Sequence, residues 1–210
     1  MTKLLITGPE TANFTILLAH GAGGAMDSAS MTALSKALTD GGFKVARFEF
    51  AYMAQRRLTG AVKPPPRADH LLDEYRTAIG ELNAGKLIIG GKSMGGRVAS
   101  MIADESFAAG KVRGLLCLGY PFHPPGKPDQ LRTAHLENLR TPTLICQGTR
   151  DPFGSREEVA SYTLSDQIDL LWLEDGDHDL KPRKKISGYS ADDHLRRLSE
   201  YATAWALRLQ

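Results

Sequence analysis

Ser93, Asp151 and His178 are the residues of this 210-residue sequence whose types and spacing suit nucleophilic chemistry. Ser93 lies in Gly91-Lys92-Ser93-Met94-Gly95, between an apolar run at 87–90 and a helical pattern with Val98, Ile102 and Phe107 on one face. A serine hydroxyl is a poor nucleophile until an imidazole takes its proton, and the imidazole needs a carboxylate to fix its tautomer. Asp151 follows an apolar run at 143–146, and His178 follows another at 168–173. Gaps of 58 residues (93 to 151) and 27 residues (151 to 178) leave room for the elements between them. The glycines around Ser93 have a physical reason as well. A strand that turns sharply into a helix strains the serine, and bulk two residues before or after it would collide with its surroundings.

Neighbouring residues are weighed against these three. Asp175 and Asp177 are alternative acids, but they share the loop of His178 and are expected to be solvated. Gly91-Lys92-Ser93 also ends like a phosphate-binding loop, but that motif needs a glycine where Lys86 stands. Acyl transfer requires backbone N–H groups aimed at the developing oxyanion. The expected donors are Met94, just after the serine, and Ala22 in His20-Gly21-Ala22-Gly23-Gly24. His20 suits a structural role in that loop. His70, His135 and His194 have no partner pattern, no clustered ligands suggest zinc, and neither metal nor cofactor is expected. His123, in Tyr120-Pro121-Phe122-His123-Pro124-Pro125, is a candidate substrate contact, with a rigid surface loop as its plainer reading.

Short apolar runs alternate with amphipathic segments, which places these residues at strand ends. Strands are expected at 14–19, 44–50, 87–90, 112–118, 143–146 and 168–173, with an antiparallel edge strand at 3–7. Helices are expected at 28–40, 67–83 and 190–208 and just after Ser93, and a proline-rich loop follows 44–50. Nearly continuous apolar strands separated by helices imply an α/β fold: a mostly parallel central sheet with helices on both faces. Function in such sheets gathers at the carboxyl ends of the strands. One domain over 1–210 is expected, because no repeat, linker or low-complexity segment divides the chain. A net charge of +2 gives no field for nucleic acid. No charged-then-apolar leader opens the sequence and no apolar run approaches about 18 residues, so a cytoplasmic protein that avoids membranes is expected. Cys117 and Cys146 sit in apolar runs and are expected to be reduced core residues.

Several segments together resemble the small α/β-hydrolase-like family. They are His20-Gly21-Ala22-Gly23-Gly24, the 48–53 segment with Arg56-Arg57, Gly91-Lys92-Ser93-Met94-Gly95-Gly96, the 119–127 segment, and Gln147-Gly148-Thr149-Arg150-Asp151-Pro152. The branch includes dienelactone-hydrolase-like proteins and animal testis-expressed and lysine-acetyltransferase-complex-subunit-like proteins. The resemblance spans about residues 14–180. It implies the α/β-hydrolase fold with Ser93, Asp151 and His178 as the triad. Dienelactone hydrolases proper use a cysteine nucleophile, so the serine here argues against dienelactone itself as substrate. Some relatives serve as scaffolds, which keeps a catalytically silent interaction module as the alternative to an enzyme.

About 20 residues separate the strands ending near 118 and beginning near 143, too few for a helical cap. With no apolar lid to shield a long acyl chain, a small soluble ester or thioester is the expected substrate, cleaved through an acyl-enzyme on Ser93. Arg56, Arg57 and Arg67 follow one strand, and Lys181, Arg183, Lys184 and Lys185 follow His178. Two readings stand for this rim: a steering field for an anionic substrate, with Arg56 and Arg57 in contact with it, or a solvated surface.

Overall fold

The computed structural model describes residues 3–82 and 84–209. Seven strands form one sheet: β1 Leu4–Thr7, β2 Thr15–Ala19, β3 Lys44–Phe48, β4 Leu87–Lys92, β5 Gly114–Leu118, β6 Thr143–Gly148 and β7 Ile168–Leu173. Their order is β1-β3-β2-β4-β5-β6-β7, with β1 antiparallel to β3 and every other pair parallel. The helices are α1 Ala29–Asp40, α2 Ala51–Thr59, α3 Leu72–Glu81, α4 Met94–Ala108, α5 Arg156–Val159, α6 Lys184–Ser187 and α7 Ala191–Ala206.

Strand alternation divides the apolar runs between two cores. Leu17, Ile89 and Leu115 face α3 and α4, where Tyr75, Val98 and Ile102 meet them. Ile16, Ile88 and Leu116 face α1 and α7, against Leu34, Leu38, Leu198 and Trp205. Both faces are therefore covered, and the strands need apolar residues at nearly every position. Cys117 and Cys146 are buried and unpaired within these layers.

Between β2 and β4 the chain reverses its direction of travel across the sheet, because β3 lies outside β2 while β4 lies on its other side. Loops leaving adjacent strands diverge at such a point and open a crevice. In register, Ala19 stands beside Gly91, Lys92 beside Leu118, and Gly148 beside Leu173. The carboxyl ends that carry the chemistry thus lie along one edge.

Three local expectations need correction. The loop expected after β3 begins with a helix, α2, because no proline intervenes before Pro64. Gly60 ends α2 in the left-handed region at φ 71°, with Arg56 and Arg57 in the last turn, where cations complement the helix dipole. The strand expected to reach residue 50 stops at Phe48, since the Phe50 N–H turns inward to the His20 ring. The helix expected over 67–83 opens with a 3-10 turn at Ala68–Leu71, and its last expected residue, Asn83, lies outside the described residues.

Candidate active site

Ser93 joins β4 to α4 with φ 50° and ψ −116°, a conformation that costs a non-glycine residue about 1–3 kcal/mol. Its surroundings impose the strain. A Cβ at Gly91 would sit 2.5 Å from the Ala19 carbonyl oxygen and 2.7 Å from the Gly95 carbonyl carbon, and one at Gly95 would strike the Ala19 and His20 carbonyls. Glycine at both positions lets the bend close against β2. The Ser93 N–H donates to the Leu118 carbonyl at 3.0 Å, which fixes the turn to β5 as well.

The Ser93 Oγ lies 2.8 Å from Nε2 of His178, and Nδ1 of the same ring lies 2.8 and 3.1 Å from the two Asp151 carboxylate oxygens. Asp151 is fully buried. Its carboxylate also accepts the Phe153 N–H at 2.9 Å and a Gln147 amide proton at 3.0 Å, so every contact to it is a donor. A carboxylate so surrounded holds the proton of His178 on Nδ1, which leaves Nε2 as acceptor for the serine hydroxyl. The Phe153 ring stacks on the imidazole, with centroids 4.0 Å apart.

The loop carrying His178 is fastened from two directions. Lys92, 6% exposed, extends its Nζ across to donate to the His178 carbonyl at 2.7 Å, and it lies 3.4 Å from the Asp179 carboxylate. Burial lowers the pKa of this ammonium from its ordinary value, while Asp179, Asp151 and Asp177 draw it back up. From the other direction, Asp175 pairs with Arg183 and lies 3.3 Å from Arg150 Nε. Asp175 is therefore a buried anchor of the loop, and the expectation that it is solvated is corrected: two guanidinium groups compensate it. Hydrogen bonding to Arg183 is the main cause that brings its pKa down to about 2. Asp177 accepts the N–H groups of Asp179 and Lys181. Gly148 completes the fit, since any Cβ there would run into the Gly176 carbonyl of the histidine loop.

The loop after β2 borders the nucleophile on the other side: a Cβ at Gly21 would lie 3.7 Å from the Ser93 Cβ. Among the described residues neither the Ala22 N–H nor the Met94 N–H has a partner, and Met94 opens α4, where the first N–H groups have no helical acceptor. His20 is buried. Its Nε2 accepts the Phe50 N–H at 3.2 Å, so Nδ1 carries the proton given to the Gly21 carbonyl at 2.7 Å. Both ring nitrogens are thereby occupied inside the loop. On α2, the Tyr52 hydroxyl donates to the Ala22 carbonyl at 2.9 Å.

Arg57 makes two bonds to Asp27 and two to Glu49, and Glu49 in turn accepts the Met26 N–H, so its guanidinium braces the 22–27 loop. A substrate contact at Arg57 would have to share its guanidinium with these two carboxylates. Arg56, one residue earlier on α2, is half-buried and has no side-chain partner among the described residues. His123 is buried, with Nδ1 2.9 Å from the Pro124 carbonyl and Nε2 3.5 Å from Glu158. It lines a cavity of about 610 Å³ with Thr149, Arg150, Asp151, Ser155 and Glu158, and neither Ser93 nor His178 is among the lining residues. Between β5 and β6 the chain has only a 3-10 turn, Ala134–Leu136. Among the described residues no group of His, Cys, Asp and Glu is placed to hold a metal ion, and no helix is long and apolar enough to cross a membrane.

A model of the alpha/beta hydrolase domain matches residues 12–207. The chain belongs to that family. Solved structures repeat the hydrolase's fold over nearly its whole length. A dienelactone hydrolase from Anabaena variabilis is 19% identical with a TM-score of 0.72, covering 99% of this chain and 92% of its own. A serine hydrolase without a lid from Xanthomonas campestris is also 19% identical, with a TM-score of 0.67 and coverages of 99% and 88%. An alpha-beta serine hydrolase homologue from Coxiella burnetii is 21% identical, with a TM-score of 0.65 and coverages of 97% and 90%.

Sequence reasoning missed three residues of the hydrolase's site. Lys92 was visible only as part of a rejected phosphate-loop match. Gln147 bonds the backbone of Tyr120 through both its amide groups and bonds Asp151 as well, and Phe153 packs on the imidazole. The adjacency of Gln147 and Phe153 to Asp151 was the available signal for those two.

Proposed function

We propose that this hydrolase cleaves a small soluble ester or thioester through an acyl-enzyme on Ser93, with residues 1–210 acting as one domain in the cytoplasm. The observation that carries the reading is the continuous relay from the Ser93 hydroxyl through the His178 ring to the Asp151 carboxylate. As Oγ attacks the carbonyl carbon, its proton passes to Nε2, and Asp151 stabilises the imidazolium that forms. The negative oxygen of the tetrahedral intermediate is met by the N–H groups of Met94 and Ala22, donors already fixed by α4 and the β2 loop. Collapse breaks the bond to the alcohol or thiol, which takes the proton from Nε2. Water then repeats the sequence on the acyl-enzyme and restores Ser93.

The short 119–142 connection supports a small substrate, because no cap shelters a long chain from water. Buried, unpaired thiols at Cys117 and Cys146 suit a reducing compartment. Dienelactone is set aside as substrate, since serine stands where dienelactone hydrolases proper carry cysteine. Of the basic rim, Arg56 keeps an uncommitted guanidinium for an anionic substrate.

The test is labelling by a fluorophosphonate probe, followed by turnover of an ester panel varied in chain length and charge. Wild type is labelled and Ser93→Ala is not, with short esters turned over fastest. An unlabelled, folded wild type points instead to a silent interaction module and ends this proposal.

A further inference from the structure

Two arginines, one of them a turn from the nucleophile, stand without a counter-charge. Arg97 is one turn into α4: its backbone N–H donates to the Ser93 carbonyl at 3.0 Å, which puts it about 6 Å along the helix axis from the serine. Arg132 lies in the loop after β5, where its N–H donates to the Phe122 carbonyl and its own carbonyl accepts the Tyr120 hydroxyl at 3.1 Å. A polar seam joins the two. The His135 Nε2 lies 3.4 Å from the Tyr120 hydroxyl and 2.8 Å from Ser100 Oγ, and the Ser100 hydroxyl donates to the Arg97 carbonyl at 2.7 Å. The seam ties the backbones together and leaves both guanidinium groups out of it.

Among the described residues neither guanidinium has a hydrogen-bond or ion-pair partner, and Arg97 Nε is fully buried with no acceptor. Four other arginines of this chain behave differently: Arg57, Arg76, Arg183 and Arg208 are each paired with a carboxylate. Asp104, the carboxylate whose charge reaches His135, is already bonded to the N–H groups of Arg140 and Thr141 and to the Thr141 hydroxyl. The cluster also repels itself. Burial first, and then the charge of Arg97, hold both Arg132 and His135 below their ordinary pKa values. Unlike a lysine, a guanidinium cannot escape this cost by losing its proton, so two half-buried, unpaired forks that feel each other's charge suit an oxyanion that bridges them.

We propose that Arg97 and Arg132 form a subsite for a carboxylate or phosphate carried by the ester a few bonds from the carbonyl that Ser93 attacks. The inference rests on the hydrolase reading and names the substrate class of that site. Tyr120 connects the subsite to the relay, since its backbone N–H and carbonyl are both held by Gln147, the residue that also bonds Asp151. An anionic group docked on the two forks would lie on the α4 side of the serine, away from the Asp151 cavity.

The test compares 4-nitrophenyl butyrate with 4-nitrophenyl hemiglutarate, a neutral and an anionic ester with one leaving group, and adds inorganic phosphate as a probe. Wild type prefers the anionic ester. Arg97→Gln and Arg132→Gln each lower the anionic-to-neutral ratio of kcat/KM by about tenfold to a hundredfold, the loss of a charge-assisted hydrogen bond, and the loss falls mainly on KM. Arg113→Gln, at the opposite edge of the sheet, keeps the wild-type ratio. Phosphate competes with the anionic ester in wild type and raises its Tm, and both effects weaken in the two variants. The competition needs no variant, so a misfolded Arg97→Gln leaves the test standing. An unchanged ratio in folded variants, or phosphate that stabilises without competing, overturns the subsite while Ser93 labelling keeps the hydrolase reading alive. Absence of labelling, with phosphate stabilisation still dependent on both arginines, ends the hydrolase reading and leaves an oxyanion-binding site of another use.

Discussion

The two sides of Ser93 are built in different ways. On the acid–base side, Asp151 and His178 are held from within by buried residues: Lys92 bonds the His178 carbonyl, Gln147 bonds the Asp151 carboxylate, and Asp175 fastens the histidine loop through Arg183. On the other side, the loop after β2 is held at its start by buried His20 and farther along from without, by Tyr52 and Arg57 reaching over from α2. The inner side has to keep a proton path to within a few tenths of an ångström, so it uses desolvated, charge-assisted bonds. In the proposed mechanism the outer side has only to present two N–H groups, and much of its bracing comes from a short, exposed helix.

Substitutions on the inner side should therefore cost far more turnover than those on the outer side. Asp151→Asn places the wrong tautomer on His178 and should lower kcat about 10⁴-fold with KM little changed, read by steady-state kinetics on a folded variant. Lys92→Met removes the bond to the His178 carbonyl and should lower kcat about 10-fold to 100-fold, with Lys92→Arg restoring part of it. A Lys92→Met enzyme as fast as wild type would erase the contrast between the two sides. Tyr52→Phe frees the Ala22 carbonyl and should cost about 1 kcal/mol, less than tenfold in kcat, with the acid–base pH profile unmoved. A loss as large as that of Lys92→Met would show the outer side to be equally demanding.

The smallest effect concerns pH. The folded pKa of Asp175, about 2, lies below its ordinary value of 3.8. The Asp175 pair with Arg183 is therefore fully stabilising above about pH 4 and is lost as pH falls through about 2. Acid unfolding should steepen across that window in wild type and less so in Asp175→Asn, as followed by circular dichroism. Identical profiles would remove Asp175 from the anchors of the histidine loop.

What the sequence disclosed was what local chemistry encodes. Apolar runs announced strands because both faces of the sheet are covered, and the glycines around Ser93 announced the bend because only the smallest residue fits against Ala19. The order of Ser93, Asp151 and His178 could be read because each follows its own strand. α2 was hidden because Met53 alone is buried on it, leaving no periodic apolar face to detect. Lys92 was hidden because its partner is a main-chain carbonyl 86 positions away, which no residue type advertises. Arg57 looked like a free cation because Asp27 lies 30 positions away and Glu49, 8 positions away, meets it only once the bend between β3 and α2 is folded.

One side of the catalytic imidazole is roofed by the Phe153 ring. In the proposed reaction, whatever resolves the acyl-enzyme therefore comes in from the uncovered face of that ring. Under that reading water and any acceptor alcohol would share one doorway, so the choice between hydrolysis and transfer of the acyl group would fall to their relative abundance at one threshold.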